Sequence, residues 1–371
     1  MYELTEQQES VKRLFHEFSE KEIRPVAAEL DRQARFPDEL FRKAGALGFF
    51  GMRYPEPDGG GYDVLSYLLA VEELARSSLS VAAACTMQSL MGTVFVHRYA
   101  RGEVRDRLLG PALEGEVLGT ICMTEPDAGS DLFSMTTRAE ERDGVWRVTG
   151  QKTWVTSAPV ADMFTVFART AEKELSIFLV EKGAAGLDIG RAIEKMGVRA
   201  SLTSEVSFDD TPATCMLGER GAGVASLREI LAEIRLMTAA LALGVGRAAF
   251  EDAVTYSKQR VQFGRPICKF QAIQMYLAEM RTSLEAARQL TYWAAWRAGQ
   301  GMENADESAM AKLQASEAAL GICDRAARVM ASYGYASEYP VERYLRDVRF
   351  TLIGGGTSEI LKVTIAKGLT R

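Results

Sequence analysis

Histidine is almost absent from this chain. Its 371 residues hold two, His16 and His97, and five scattered cysteines, Cys85, Cys122, Cys215, Cys268 and Cys323. There is no CxxC pair, no HExxH and no Cys/His cluster, so no metal site is expected. An odd, dispersed set of cysteines is expected as buried free thiols in a reducing compartment, not as a disulfide framework. Both histidines are expected at the surface. No GxGxxG follows a strand; Gly244-Val245-Gly246 lies in an Ala-rich helical run and reads as a helix-packing site, which leaves a nicotinamide-type Rossmann domain unsupported. No run reaches about 18 consecutive apolar residues, and no basic segment followed by an apolar run opens the chain. The expectation is a cytoplasmic protein with no membrane partner. A net charge of −6 argues against nucleic acid as a partner.

What is present falls into three stretches. Residues 1–115 read as helical: Val11, Leu14, Phe15 and Phe18 recur at helical spacing, and Asp63 to Leu90 is dense in Leu, Ala and Val. The character changes near Gly115. Val117–Cys122, Gly144–Gly150, Thr153–Thr156, Met163–Ala168, Leu175–Val180 and Ser204–Phe208 read as strands between Gly, Asp and Pro turns. Helical pattern returns near Gly223, with candidates at 223–260, 268–299, 305–333 and 340–348. The expected organisation is an N-terminal helical domain (1–115), a middle antiparallel β-domain (116–220) and a C-terminal helical bundle (221–371), an α+β architecture.

Three polar segments stand out against this frame. Thr124-Glu125-Pro126-Asp127-Ala128-Gly129-Ser130-Asp131 follows a β-like run; taken alone it is a polar turn, but its hydroxyls and N–H groups can bond a ring edge or a phosphate. Lys152-Thr153-Trp154-Val155-Thr156-Ser157 puts a Trp and a Thr on one strand face. Arg260-Val261-Gln262-Phe263-Gly264-Arg265-Pro266 ends a long helix, where an Arg complements the helix dipole and is also a ready phosphate ligand.

In the same order as Met196-Gly197-Val198-Arg199, Arg235, Gln271, Glu338-Tyr339-Pro340-Val341-Glu342 and Gly354-Gly355-Gly356-Thr357-Ser358-Glu359, these segments resemble the acyl-CoA dehydrogenase flavoproteins over essentially the whole chain. The resemblance implies that family's fold, with a C-terminal four-helix bundle, FAD as cofactor, an acyl thioester as substrate, electron-transfer flavoprotein or oxygen as acceptor, and a homo-dimer or tetramer. It implies flavin contacts for Met123, Thr124, Ser130, Trp154 and Thr156. It puts Arg260, Phe263 and Gln271 on the FAD of a neighbouring subunit, and Arg328, Thr357 and Glu359 at the nucleotide end. Arg235, Gly354 and Gly355 fall at the substrate. FAD accepts hydride; the protein positions and tunes.

The pattern breaks where the chemistry lies. The family segment Tyr-Glu-Gly-Thr-Ser carries a Glu that removes the substrate α-proton, and here that position is Gly355. Family members that carry the base on the first long helix of the C-terminal domain place it immediately before an Arg; here that position is Ile234. Neither side chain can take a proton. Glu233 is adjacent, but a helix turns ~100° per residue, so its ordinary reading is a solvated or interface carboxylate; it stays the first candidate for a displaced base, with Glu229 one turn earlier a weaker one. Where the family has Gln-x-x-Gly-Gly-x-Gly, Arg328 leads a segment with Ala331 and Ser332. Loss of both bases favours a thioester that needs no α-proton abstraction, such as an oxygenated, hydroxymalonyl- or methoxymalonyl-type group on the acyl carrier protein of a polyketide extender-unit pathway. The alternatives are ordinary α,β-dehydrogenation of an acyl-CoA using Glu233, and a flavin monooxygenase or non-catalytic flavoprotein on the same scaffold.

Overall fold

The computed structural model describes residues 3–370. Thr5 and Gln8 form a reciprocal capping box that starts α1 (Glu6–Phe18), which buries Val11, Phe15 and Phe18 and leaves Leu14 to solvent. Helices α2 (Ala27–Gln33), α3 (Asp38–Ala46), α4 (Val64–Ser77), α5 (Leu79–Thr86), α6 (Val94–Tyr99) and α7 (Gly102–Glu114) complete the N-terminal part. The stretch Leu79–Tyr99 is long and apolar enough to cross a membrane, yet 94% of its apolar window is buried inside the protein, so it serves as core here. All five cysteines are free.

The middle of the chain is an eight-stranded sheet with the order β6-β7-β3-β2-β4-β5-β8, and β1 pairs in parallel with β4. Its strands are β1 (Gly119–Cys122), β2 (Arg138–Arg142), β3 (Val145–Thr156), β4 (Met163–Ala171), β5 (Glu174–Glu181), β6 (Leu187–Ile189), β7 (Thr203–Pro212) and β8 (Cys215–Met216). Along β4 and β5 both faces are apolar. Met163, Phe167, Ile177 and Leu179 join the large core shared with the helices, whereas Phe164, Val166, Phe178 and Val180 build a second core within the β-domain. Period-two alternation between two cores explains the continuous apolar runs. The two strands expected at 144–150 and 153–156 are one, β3, which passes through Gly150 and shifts register against β7 between Lys152 and Val155.

The C-terminal helices are α8 (Gly223–Gln259), α9 (Gln271–Gly299), α10 (Ala305–Met330), α11 (Pro340–Val348) and α12 (Ser358–Leu369), with a short hairpin of β9 (Val261–Gln262) and β10 (Arg265–Pro266) after α8. The glycines of the Gly-Val-Gly run are contact points of α8. A Cβ on Gly244 would stand 2.5 Å from the Glu72 carbonyl oxygen of α4, and one on Gly246 would stand 3.2 Å from the Ala319 Cβ of α10. Buried charges tie the helices further. Glu72 accepts from Arg288 Nη2 (3.0 Å) and Tyr292 Oη (2.9 Å), and Glu73 from Arg247 Nη1 (2.6 Å). Half-buried His97 is not the surface residue expected; it stacks on Tyr54 at 4.1 Å and pairs with Asp58 at 3.2 Å.

Candidate active site

Between α11 and α12 the chain makes a turn of three-residue pitch, Arg349–Leu352, and then the glycine run. Gly355 (φ +72°) and Gly356 (φ +107°) occupy backbone regions that side chains disfavour. Two residues of α10 grip the segment: Lys312 Nζ donates to the Gly356 carbonyl at 2.6 Å and Ser316 Oγ to the Thr351 carbonyl at 2.8 Å. Burial brings the Lys312 ammonium down to about 8. Arg235 is also buried; its Nη1 donates to the Ala305 carbonyl at 3.4 Å and its Nε has no partner. Burial lowers its pKa, opposed by Asp306. Gly354 packs on Phe350.

Helix α8 covers the glycine run. A Cβ at Gly355 would stand 2.9 Å from Thr238 Oγ1 and 3.7 Å from Ile234 Cγ2, so the side chains facing the position of the absent base are a hydroxyl and an alkyl group. Glu233 does not join them. It forms an ion pair with Arg53 of the N-terminal domain, and Glu229, one turn earlier, accepts from Arg98 Nη1 at 2.8 Å. The ~100° step between adjacent helix residues turns Glu233 toward another domain, where it pairs with the Arg53 guanidinium. Burial lowers the Arg53 pKa and leaves its Nε without a partner.

In the middle domain, β1 runs into Met123 and Thr124, and β3 lies beside them. Thr153 N–H donates to the Thr124 carbonyl at 2.9 Å. Lys152, fully buried, donates to the Met123 carbonyl (3.1 Å) and to Glu125 Oε1 (2.9 Å). Glu125 also accepts from Thr136 N–H (2.6 Å), Thr136 Oγ1 (2.9 Å) and Thr137 N–H (2.9 Å). Burial alone would raise its carboxyl, but these bonds outweigh it and hold the group at about 2. Sequence reasoning passed over this pair, although Lys152 inside a strand was the available signal. The pair fixes the loop that displays Thr124 and exposed Ser130. At the register shift of β3, Trp154 adopts φ +56° and leaves 58% of its surface exposed. Half-buried Thr156 follows it, and its carbonyl accepts from Thr120 Oγ1 at 2.6 Å.

The remaining candidates lie toward one end of the helical bundle. Arg260 caps α8 and stands 5.5 Å over the Tyr333 ring. Phe263, at φ +50° on the β9–β10 hairpin, is 93% exposed, and Gln271 opens α9 at the surface. Arg328 is exposed and bonds Asp324 one turn back on its own helix at 2.8 Å. Thr357 is the N-cap of α12, its Oγ1 accepting from Ile360 N–H at 3.3 Å, and Glu359 lies exposed in the first turn.

A further cluster joins all three parts of the chain. Asp347 Oδ1 accepts from Val198 N–H at 2.6 Å, while Arg346 bonds Asp31 at 2.7 Å and the Met196 carbonyl at 3.1 Å. Burial pushes the Asp347 carboxyl up to about 7 despite the Val198 bond.

Three successive segments match the family descriptions of the acyl-CoA dehydrogenases: the N-terminal domain over residues 5–116, the middle domain over 120–211 and the C-terminal domain over 221–370. The chain therefore belongs to the acyl-CoA dehydrogenase family of FAD-dependent oxidoreductases. Among its relatives is the benzylmalonyl-CoA dehydrogenase of Aromatoleum aromaticum, 56% identical over 371 residues, covering 99% of this chain and 98% of the relative. The short-chain specific acyl-CoA dehydrogenase of Clostridium acetobutylicum is 37% identical with both chains fully covered. The solved structure of butyryl-CoA dehydrogenase from Megasphaera elsdenii superposes with a TM-score of 0.96 at 37% identity, both chains covered in full. The residues present fit the family's flavin. An exposed indole at a strand bulge, beside a loop of hydroxyls and N–H groups held rigid by Glu125 and Lys152, supplies an aromatic cover and ring-edge donors.

Proposed function

We propose that this protein oxidises a 2-carboxylated, malonyl-type acyl-CoA and releases its carboxyl group as CO2. One observation carries the reading: the three atoms nearest a Cβ built on Gly355 belong to Thr238 and Ile234, and none is a carboxylate oxygen. Oxidation at the α,β-bond needs an electron pair at Cα, which a base obtains by removing a proton. A malonyl-type substrate already holds that pair in the bond to its carboxylate. Cleaving this bond leaves the pair on Cα, CO2 departs, and the Cα=Cβ bond forms as hydride leaves Cβ. The products are an α,β-unsaturated thioester and CO2, and no protein base takes part. Bound FAD supplies the acceptor for that hydride.

Similarity to the benzylmalonyl-CoA dehydrogenase of Aromatoleum aromaticum supports both the α-carboxylate and CoA as carrier. An acyl carrier protein presents the same thioester, so both carriers belong in the test. In this reading Met123, Thr124, Ser130, Trp154 and Thr156 hold the flavin ring. Arg260, Phe263 and Gln271 reach the FAD of a neighbouring subunit, and Arg328, Thr357 and Glu359 serve the nucleotide end. Lys312 holds the glycine run in place, and Arg235, Gly354 and Gly355 serve the substrate.

The test is anaerobic titration of the FAD-loaded protein with benzylmalonyl-CoA, the same acyl group on acyl carrier protein, and saturated 3-phenylpropionyl-CoA. One CO2 per flavin bleached by the carboxylated thioester, with no bleaching by the saturated one, is the expected result. Bleaching by the saturated thioester, or a product that keeps its carboxylate, overturns the proposal.

A further inference from the structure

We propose that Thr238 seats the substrate carboxylate over Gly355 and thereby selects 2-carboxylated acyl groups over uncarboxylated ones. The inference rests on the decarboxylative reading above. A departing carboxylate takes the place of the proton that a base at this position would remove. It must therefore occupy the volume into which such a base's side chain would grow. In the Cβ direction of Gly355 a carbon would stand 2.9 Å from Thr238 Oγ1, too close for a methylene, and 3.7 Å from Ile234 Cγ2, whereas a carboxylate oxygen at the first of these distances is at hydrogen-bonding range of the hydroxyl.

The two side chains suit the two needs of the step. Thr238 is 2% exposed, and its Oγ1 donates to the Ile234 carbonyl at 2.8 Å, a bond within its own helix. The Ile234 carbonyl lies inside α8 and keeps its helical N–H partner when the hydroxyl turns away. An ionised carboxylate is a stronger acceptor than a carbonyl, so the hydroxyl proton swings to the substrate at little cost. Ile234 walls the same volume with alkyl surface and keeps water from the carboxylate, and a poorly hydrated carboxylate gives up CO2 more readily than a hydrated one. A second, independent observation is the charge beneath the glycine run. Lys312 bonds only the Gly356 carbonyl, and buried Arg235 bonds the Ala305 carbonyl and leaves Nε unpartnered. Neither cation makes an ion pair among the described residues, although Asp306 acts on Arg235 and Glu317 and Glu359 act on Lys312, so the positive potential beneath the loop is offset in part and still favours an anion above it.

Malonyl-CoA and acetyl-CoA differ by this carboxylate, and neither has a β-carbon that bears hydrogen, so neither can give up a β-hydride. Their dissociation constants are measured by calorimetry on the FAD-loaded wild type, Thr238→Val and Thr238→Ser, with Thr238→Ala in place of Val if that variant does not fold. The wild type is expected to prefer malonyl-CoA, and Thr238→Val to lose about ten- to a hundredfold of that preference, the scale of one hydrogen bond to a charged group. Acetyl-CoA affinity stays unchanged, and Thr238→Ser restores the preference. Equal malonyl-to-acetyl ratios in wild type and Thr238→Val overturn the seat. Failure of the wild type to release CO2 from benzylmalonyl-CoA is a separate result, which overturns the reading of the reaction.

Discussion

Gly355 combines a left-handed backbone with a crowded Cβ direction, 2.9 Å from Thr238 Oγ1. Restoring the family's glutamate there is therefore not a simple repair. Gly355→Glu is expected to cost about 1–3 kcal/mol of stability from backbone strain, read as a lower melting temperature, and to gain no oxidation of saturated acyl-CoA until Thr238→Ala makes room. Glu233 sets a contrasting expectation. Glu233→Gln removes the carboxylate paired with Arg53, whose charge Asp63 still offsets in part, so it should cost about 1–3 kcal/mol while flavin reduction per folded enzyme stays unchanged. Loss of flavin reduction at full stability would return Glu233 to the chemistry. At this scale the absences were legible: position 355 is Gly and position 234 is Ile in the sequence. Buried charge partners were not, because Arg53 with Glu233 and Lys152 with Glu125 meet only after folding, and no local spacing announces them.

Among the elements, β4, β5, α8 and α10 were readable because apolar period and length agree with the final packing. β3 was read as two strands because Gly150 has the composition of a turn, and only the neighbours β2 and β7 show that the chain continues extended through it. The loop Met196–Val198 owes its place to α11, through Asp347 and Arg346. That contact carries a pH prediction. The Asp347 carboxyl lies at about 7 when folded, against 3.8 ordinarily. Between these values the folded state holds a proton that the unfolded chain has released, so stability falls as pH rises from about 4 to about 7 and levels off above. Asp347→Asn keeps an acceptor for Val198 N–H without the ionisation. Its chemical-denaturation midpoint should vary less across that window than the wild type's, and an equal slope would exclude Asp347 as the source.

For the whole molecule, the proposed sharing of FAD between subunits gives Phe263, 93% exposed on its hairpin, a role. Phe263→Asp is expected to lower both the mass found by light scattering and the FAD retained per chain, and a wild type that runs as a monomer with full FAD would remove the shared-site proposal. The fold class could be read from three compositional zones, but the hairpin's exposure could not, since Phe263 in sequence is one more hydrophobic residue.

Helix α8, 37 residues long, spans roughly 55 Å. Glu233 meets the N-terminal domain, Thr238 overlooks Gly355, Gly244 and Gly246 touch α4 and α10, and Arg260 ends at the hairpin. These contacts lie on different faces of one continuous helix, so a single rotational register sets them all. Inserting a single residue after Thr238 would turn everything downstream by ~100° and advance it by ~1.5 Å, unseating the α4 and α10 contacts and the hairpin in one stroke. This helix can accept changes of letter far more readily than any change of length.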